Sequence, residues 1–480
     1  MPVGVTYQPA PVWPALQPNF SDPVQAATFP RHTLRFRNQR AAAEVGLDPL
    51  DDTEWLEHFA GLAPLPRNLA EPLALRYHGH QFRSYNPWLG DGRGFLFAQL
   101  LDRAGRVMDL GTKGSGTTPY SRGGDGRLTL KGAVREILAT EMLEALGVLT
   151  SRTLSVVETG ESLVRHDEPS PTRAGVLVRL SWSHVRFGTF QRHAWERSTK
   201  RLQQLLQFTV DSWFPELAEG DGATLPERFL DAVVDRSARL VSQWTLAGFV
   251  HGVLNTDNMN VTGESFDYGP WRFLPTYDPT FTAAYFDHGG LYAFGRQPDA
   301  VFWNLCRLAD ALLSISSQEA LEPILGTFEE RLRRHTQRQL CARLGVLSRG
   351  EADDHDLVRT AFAFLAASQL PYERLFFDHF GGEASVERAG ASPESARYRG
   401  EAFAAFRDAL YAHEPADPSR LEHPYFAELA PTTMLIDEME ALWAPIADED
   451  DWSELDAGIL RIRRMGEALG LREFARAPLT

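Results

Sequence analysis

A lysine and a glutamate 23 residues apart form the first pair of side chains that could do chemistry. Lys113 ends a predicted strand over residues 107–113, and Glu136 lies on a predicted helix over residues 130–146. Glu136 shares a row of that helix with Ala133, so its carboxylate points at least partly inward and needs a partner. A lysine held by such a carboxylate can bind nucleotide phosphates. Two unrelated surface charges are the alternative interpretation.

A second set of polar residues follows a long helix predicted over residues 226–248. Catalytic loops of the protein-kinase type read His-Arg-Asp and place a metal-binding Asn seven residues after the His. Counted from His251, Asn258 stands at that Asn position. Val253 occupies the position of the catalytic Asp and can accept no proton, whereas Asp257 supplies a carboxylate directly before Asn258.

Further candidates for binding a metal or a phosphate lie on both sides of this loop. Nine residues beyond Asn258, the triplet Asp267-Tyr268-Gly269 resembles the metal-binding Asp-Phe-Gly triplet of kinases. Asn258 and Asp267 offer two hard oxygen ligands, which suit Mg²⁺ or Mn²⁺ shared with phosphates. Arg179 and Arg186 flank the end of a predicted strand, and their forked guanidinium groups suit bidentate phosphate binding.

Two glycine-rich segments could bring backbone amides close to a phosphate. Gly90, Gly92 and Gly94 alternate with other residues directly before a predicted strand, and residues 123–127 form a second flexible turn. Tight turns without a ligand have the same composition. The first segment is not a Rossmann fingerprint, because a strand follows it, and residues 111–116 lack the Gly-Lys-Ser/Thr order of a P-loop.

The composition narrows the class of protein. The 480 residues are 43% hydrophobic, and 48 Lys and Arg against 64 Asp and Glu give a formal charge of −16. Without a basic cluster, we expect no nucleic-acid partner. We expect no membrane helix and no signal or transit peptide, so the cytoplasm is the expected location. Cys306 and Cys341 are too few for a disulfide framework, and Cys306 is expected in the core.

The elements that must position these residues fall into two groups. Residues 76–195 carry short β-rich runs, many glycines and one clear helix, whereas residues 196–430 are mostly helical. We therefore predict an α+β, protein-kinase-like bilobal fold with a small β-rich N-lobe and a larger helical C-lobe. Residues 1–75 are expected to form an irregular N-terminal extension with one or two short helices, and residues 431–480 a C-terminal helical extension. A cleft between lobes is a common ligand site.

Several long motifs are similar to those of the SelO/YdiU family, the kinase-like protein adenylyltransferases. The similarity covers about residues 75–315. The motifs are residues 77–82 (YHGHQF), 86–93 (NPWLGDGR), 110–122 (LGTKGSGTTPYSR), 183–188 (SHVRFG), 251–259 (HGVLNTDNM), 267–270 (DYGP) and 277–279 (YDP).

The resemblance implies a nucleotide bound in the reverse sense from a kinase, with the γ-phosphate buried and the α-phosphate facing the acceptor. AMP then passes from ATP to a Ser, Thr or Tyr hydroxyl of a protein, self-modification included, and pyrophosphate leaves. Related members also use UTP with Mn²⁺ and transfer UMP. In this picture Asp257 is the proton acceptor, Glu136 orients Lys113, and Asn258 and Asp267 hold Mg²⁺ or Mn²⁺. The implied nucleotide contacts are Gly90, Gly92, Arg93, Lys113, Asp125, Gly126, Arg179, Arg186 and Asp267.

The chain also departs from the family. Many members carry a cysteine after the residue matching Asp267 and a cysteine or selenocysteine near the C-terminus. Residues 276–296 and the last five residues of this chain contain none, so redox control by that disulfide is not expected. Two alternative functions stay open. One is a small-molecule-type kinase with a shifted base at Asp257, and the other is a nucleotide-binding pseudokinase scaffold without turnover.

Overall fold

Strands dominate the first part of the chain and helices the second. The computed structural model describes residues 4–16, 18–166, 168–219 and 221–472, so the outermost residues of both predicted extensions lie outside the described residues. The strands are β1 (Ser21–Pro23), β2 (Thr33–Arg37), β3 (Leu73–Leu75), β4 (Gly79–Gln81), β5 (Ser84–Asn86), β6 (Leu96–Leu101), β7 (Val107–Lys113), β8 (Leu128–Thr129), β9 (Arg152–Leu163), β10 (Thr172–Ser181), β11 (Phe249–Val250) and β12 (Arg272–Phe273).

The helices are concentrated after residue 187. They are α1 (Gln39–Glu44), α2 (Asp52–Phe59), α3 (Leu130–Ala145), α4 (Phe187–Trp195), α5 (Thr199–Trp213), α6 (Leu225–Leu246), α7 (Gln297–Leu312), α8 (Gln318–Leu325), α9 (Phe328–Arg343), α10 (Glu351–Ser368), α11 (Tyr372–His379), α12 (Val386–Ala391), α13 (Gly400–Tyr411), α14 (Ile436–Glu449) and α15 (Ser453–Leu469). Among these helices none is long and apolar enough to cross a membrane.

An antiparallel sheet of eight strands carries the first half of the site. Its order is β1-β3-β6-β7-β10-β9-β2, with β8 paired to β10. The predicted β6–β7 hairpin is confirmed, and the carboxylate of Asp102 closes its turn by accepting from the backbone N–H groups of Ala104 and Arg106. The pairing of β7 with β10 sets Arg179 opposite Gly111, two residues before Lys113. The sheet therefore fixes the separation of two candidate phosphate-binding side chains.

Residues 1–75 contain the helices α1 and α2, but the prediction that the rest of this extension is irregular is wrong for three strands. β2 pairs with β9 at one edge of the sheet, while β1 pairs with β3, which joins β6 at the other. These strands have only three to five residues, too few to show an alternating pattern, and the edges of the sheet supply their hydrogen-bond partners. Trp13 and Phe20 are buried in the same core as α3 and α6.

Helix α3 is buried on nearly all sides, because the sheet covers one face and α15 another. Its first turn is capped by Thr129, whose side chain accepts from the N–H of Gly132. From α15, Arg463 forms two hydrogen bonds to the carboxylate of Glu141, at 2.6 and 2.8 Å. The C-terminal helices thus support the helix that carries Glu136. The domain boundaries stay a prediction.

The helical half places the catalytic-type loop directly after α6. One face of α6 buries Phe229, Val233, Leu240 and Trp244 at helical spacing, as predicted. The helix ends before Gly248, which has a φ of +62° and turns the chain into the loop beginning at His251. Neither cysteine forms a disulfide. Cys341 is buried, but Cys306 is only half-buried because it lies on the face of α7 that also exposes Phe302, so its predicted core position is wrong.

Candidate active site

A cavity of about 750 Å³ brings together residues from the sheet and from the loop after α6. It is lined by eleven of the residues predicted to bind nucleotide or metal or to accept a proton, while Glu136 stands behind Lys113. These eleven are Gly90, Gly92, Arg93, Lys113, Asp125, Gly126, Arg179, Arg186, Asp257, Asn258 and Asp267. Side chains as far apart in the chain as Gly90 and Asp267 therefore share one concave site.

Lys113 lies between two carboxylates at the inner end of this cavity. Its Nζ is 2.8 Å from Glu136 Oε2 and 3.0 Å from Asp267 Oδ1. Lys113 and Glu136 are 4% and 1% exposed, so each needs the other's charge. Burial alone raises the pKa of Asp267, but the charges of Lys113, Arg179 and Arg186 outweigh it and hold that pKa well below its usual range. Asp267 is therefore ionised near neutral pH.

Arg179 completes this charge cluster from the neighbouring strand. Its guanidinium group is 3.6 Å from Glu136 Oε1 and 3.6 Å from Asp267 Oδ1. Its Nε and Nη1 are buried and have no hydrogen-bond partner among the described residues. An arginine buried with free donors is costly unless an anion completes its hydrogen bonds, so the inner end of the cavity is suited to a phosphate.

Arg186 connects the glycine-rich segment to the catalytic-type loop. Its Nη1 donates to the backbone carbonyl of Asp257 at 2.8 Å, and its Nη2 donates to Asp91 Oδ1 at 3.3 Å. The guanidinium carbon lies 4.4 Å from the ring centroid of Tyr77, a cation–π contact. Arg186 Nε has no hydrogen-bond partner within the described part of the chain. We call Lys113, Arg179 and Arg186 the inner cation cluster.

Asp257 and Asn258 lie on one short turn of 3₁₀ helix, Thr256–Asn258. The amide Nδ2 of Asn258 donates to the carbonyl of Val253 at 3.0 Å, which leaves its amide oxygen free to bind a cation. Asp257 Oδ1 is buried without a hydrogen-bond partner among the described residues. Burial raises the pKa of Asp257 to about 6, although the charge of Arg186 opposes this shift. A carboxylate of this kind can accept a proton near neutral pH.

The residues that could hold a divalent cation fit that role chemically. Asn258 offers a neutral amide oxygen and Asp267 an ionised carboxylate, and both line the cavity. Asp267 adopts a left-handed backbone conformation with a φ of +64°. A non-glycine residue is uncommon in this conformation, although aspartate adopts it more readily than most, so the surrounding structure holds the backbone at this point.

The rim of the cavity consists of glycines packed closely against neighbouring residues and of exposed charged side chains. A Cβ atom on Gly90 would lie 2.4 Å from the ring of Tyr120, and one on Gly126, whose φ is +68°, would lie 2.2 Å from the carbonyl oxygen of Gly116. Arg93 and Asp125 are exposed, in contrast to the inner cation cluster. Asp125 forms an ion pair with Arg165 at 2.9 Å.

Several pocket residues were not predicted as site residues. Arg165 lines the cavity from the connection between β9 and β10, and no local motif marks it. His184 also lines it, with its Nδ1 3.2 Å from Asp109 Oδ2. Asp91 lies inside the first glycine-rich segment and Arg122 directly precedes the second, so both could have been found from their positions next to these glycines.

A second cluster of metal-binding residue types lies away from the cavity, at Cys341, Asp354 and His413. The carboxylate of Asp354 faces His413 Nε2 at 3.0 Å and accepts from the backbone N–H of Arg349, also at 3.0 Å. The hydroxyl of Ser348 donates to the same carboxylate. These hydrogen bonds satisfy the carboxylate of Asp354 without an ion, so we regard the cluster as a structural link between α9, α10 and the residues that directly follow α13.

Comparison with known proteins finds relatives along most of the chain. A family model described as protein adenylyltransferase SelO matches residues 4–463. A protein of Synechocystis sp. named protein nucleotidyltransferase YdiU is 44% identical over 484 positions, covering 94% of this chain and 96% of its own length. Proteins of the same name are 44% identical over 475 positions in Gloeobacter violaceus, with 95% of each chain covered, and 38% identical over 378 positions in Vibrio cholerae, with 78% and 76% covered.

These matches confirm the family, the nucleotidyltransferase class of enzyme and the fold class predicted from the sequence. They span both the β-rich and the helical parts, so the similarity extends well beyond the motifs of residues 75–315. The chain belongs to the SelO family of kinase-like protein adenylyltransferases.

Proposed function

We propose that the chain transfers AMP from ATP to Ser, Thr or Tyr hydroxyl groups of proteins, with the triphosphate bound tail-first. One observation carries the orientation: three buried cationic side chains lie at the inner end of the cavity, and Arg179 and Arg186 keep buried N–H groups there without a hydrogen-bond partner among the described residues. Lys113, Arg179 and Arg186 are only 4%, 5% and 5% exposed. The β- and γ-phosphates carry most of the negative charge of ATP, so they are expected to bind the inner cation cluster, which leaves the α-phosphate towards the rim.

In the proposed reaction, the acceptor hydroxyl oxygen attacks the α-phosphorus and forms a new P–O bond. The bond between the α-phosphorus and the bridging oxygen to the β-phosphorus breaks, and pyrophosphate leaves with its charge neutralised by the inner cation cluster. The hydroxyl proton passes to Asp257. Val253 cannot take this proton, whereas Asp257 in the same loop has a buried carboxylate oxygen, Oδ1, without a hydrogen-bond partner among the described residues.

Asn258 and Asp267 are the residues that would hold Mg²⁺ or Mn²⁺. Such an ion supplies positive charge that neutralises the phosphates. The chain's own contribution is to keep Asp267 ionised, through Lys113 at 3.0 Å and Arg179 at 3.6 Å, and to fix its backbone. Use of UTP with Mn²⁺, to transfer UMP, is part of this proposal.

A pair of labelled nucleotides tests the function directly. The purified chain is incubated with Mg²⁺ and ATP labelled on either the α- or the γ-phosphate, with and without added proteins. The proposal expects label on protein from the α-position only, and release of labelled pyrophosphate from the γ-position. Label on protein from the γ-position would contradict it and favour a kinase. The same experiment with α-labelled UTP and Mn²⁺ tests UMP transfer, and label on the chain itself tests self-modification.

The two alternatives make different predictions in this assay. A small-molecule-type kinase would consume ATP to ADP and label no protein from the α-position. A scaffold would bind ATP without releasing AMP or pyrophosphate. The cytoplasmic location stays a prediction.

A further inference from the structure

Three exposed aromatic side chains lie together beside the candidate active site. Phe82 is 38% exposed, Phe286 42% and Tyr285 77%. The ring centroids of Phe82 and Phe286 are 5.9 Å apart, and those of Tyr285 and Phe286 are 5.1 Å apart. We call Phe82, Tyr285 and Phe286 the aromatic platform. Exposed aromatic side chains in contact with one another are typical of a binding surface.

Backbone hydrogen bonds join the platform to the loop that carries Asp257. Phe82 lies at the tip of the β4–β5 hairpin, and its N–H donates to Asn255 Oδ1 at 3.0 Å. In the same hairpin, the N–H of His80 donates to the hydroxyl of Thr256 at 2.7 Å. A Cβ atom on Gly79 would lie 2.9 Å from Asp257 Oδ1. The hairpin therefore packs directly on the proposed proton acceptor and ends at the platform.

The tip of the hairpin is held in an unfavourable conformation that presents Phe82 to solvent. Phe82 and Arg83 are consecutive non-glycine residues with φ values of +48° and +64°. Glycine, Asn or Asp would adopt such a turn at lower cost, so bulky residues here point to a function for the side chains. The oxygen of Asn255 that accepts from Phe82 also accepts from the hydroxyl of Tyr292 at 2.8 Å, which fixes the turn.

Resting on the proposed function, we propose that the aromatic platform binds an aromatic or large aliphatic side chain that lies close in sequence to the acceptor hydroxyl of the protein substrate. An acceptor that reaches Asp257 must pass along the rim of the cavity. Arg93 and Arg122 are charged and exposed on that rim, whereas the platform is its apolar neighbour. When an apolar side chain of the substrate covers the platform, the platform and that side chain are both removed from water. The same contact positions the acceptor hydroxyl of the substrate.

A library of synthetic peptides tests this proposal. Each peptide has one central Ser, Thr or Tyr, and every other position is varied in turn, with transfer measured from α-labelled ATP. We expect the wild-type chain to select aromatic or large aliphatic residues at one or two fixed positions. Phe82→Ala and Phe286→Ala should lose that selection and raise the KM for the selected peptide about tenfold, because one buried aromatic contact is lost. The KM for ATP and the kcat should stay unchanged, and Phe82→Trp should restore the peptide KM.

Phe302→Ala is the matched control, because Phe302 is 39% exposed and packs against Phe328 instead of the platform. An equal rise in peptide KM for Phe302→Ala would overturn the proposal. Unchanged peptide selection and peptide KM in both platform variants would also overturn it. So would a loss of self-association, measured by light scattering, in platform variants whose peptide KM is unchanged. Failure of the proposed function looks different, since the wild-type chain would then transfer no α-label to any peptide or protein.

Discussion

The two ends of the cavity differ in how their charges are held. At the inner end, Lys113, Glu136, Arg179 and Asp267 form a buried network in which each charge has an opposite charge within 3.6 Å. At the rim, charged residues such as Arg93 are exposed on glycine-rich loops. Buried charges must be paired before any ligand arrives, whereas exposed charges need no partner. Substitutions at the inner end should therefore affect both stability and activity, and those at the rim only nucleotide binding.

The largest effect is expected from Lys113→Ala. It removes a cation that we propose binds phosphate and leaves Glu136 buried with only Arg179 near it, so transfer should fall by about 10³-fold and the free energy of unfolding by about 3 kcal/mol. Label transfer and urea unfolding measure the two effects. The double variant Lys113→Met with Glu136→Gln should recover most of the stability but none of the activity. If Lys113→Ala transfers AMP at the wild-type rate, this lysine is not part of the active site.

Asp257→Asn separates catalysis from binding. It keeps the size of the buried side chain but removes the proposed proton acceptor, so kcat should fall by about 10²-fold or more while the affinity for ATP changes little. Single-turnover transfer and equilibrium ATP binding measure these separately. Asp278→Asn is the control, because the carboxylate of Asp278 accepts from Thr280 and does not line the cavity. Transfer by Asp257→Asn at a rate close to wild type would contradict the role of Asp257.

Arg179→Lys tests which part of the nucleotide reaches the inner end. Lysine keeps the positive charge but lacks the forked N–H donors of the guanidinium group, so ATP and pyrophosphate should bind about tenfold more weakly. AMP, which has no β- or γ-phosphate, should bind as it does to the wild-type chain. Calorimetry with the three ligands measures this, and Arg173→Lys on the same strand, where Arg173 pairs with Glu158 outside the cavity, is the control. Weaker AMP binding instead would place the α-phosphate at Arg179.

The smallest effect is expected at the rim, for Arg93→Ala. An exposed charge contributes little in water, so the KM for ATP should rise about threefold, and the difference should shrink in high salt. Stability should not change. Steady-state transfer at two salt concentrations measures the effect, with exposed Arg407→Ala on α13 as the control. If Arg93→Ala lowers transfer and stability as much as Lys113→Ala does, the two ends of the cavity do not differ as described.

The sequence predicts those parts of the molecule that are encoded locally. Helix α3 and strand β7 have long regular patterns and lie where they are predicted, because each is long enough to show its period. The short strands of residues 21–37 form only because the sheet offers them an edge. Since that edge is built by residues far along the chain, no local pattern reveals them.

The same limit applies to the site. Lys113 and Asp267 stand in motifs that can be recognised in a line of sequence, and the structure places them 3.0 Å apart. Arg165 lies 40 residues after Asp125 in the chain and reaches it only because the connection from β9 to β10 crosses the rim. The aromatic platform likewise joins residues some 200 positions apart, so only the fold brings them together.

The orientation of the nucleotide is tested most directly by a crystal structure with Mg²⁺ and a non-hydrolysable ATP analogue. Our prediction is that the β- and γ-phosphates lie within hydrogen-bond distance of Arg179 and Arg186, and that the α-phosphorus lies on the side of Asp257. A γ-phosphate at the rim, with the α-phosphate at the inner cation cluster, would contradict it.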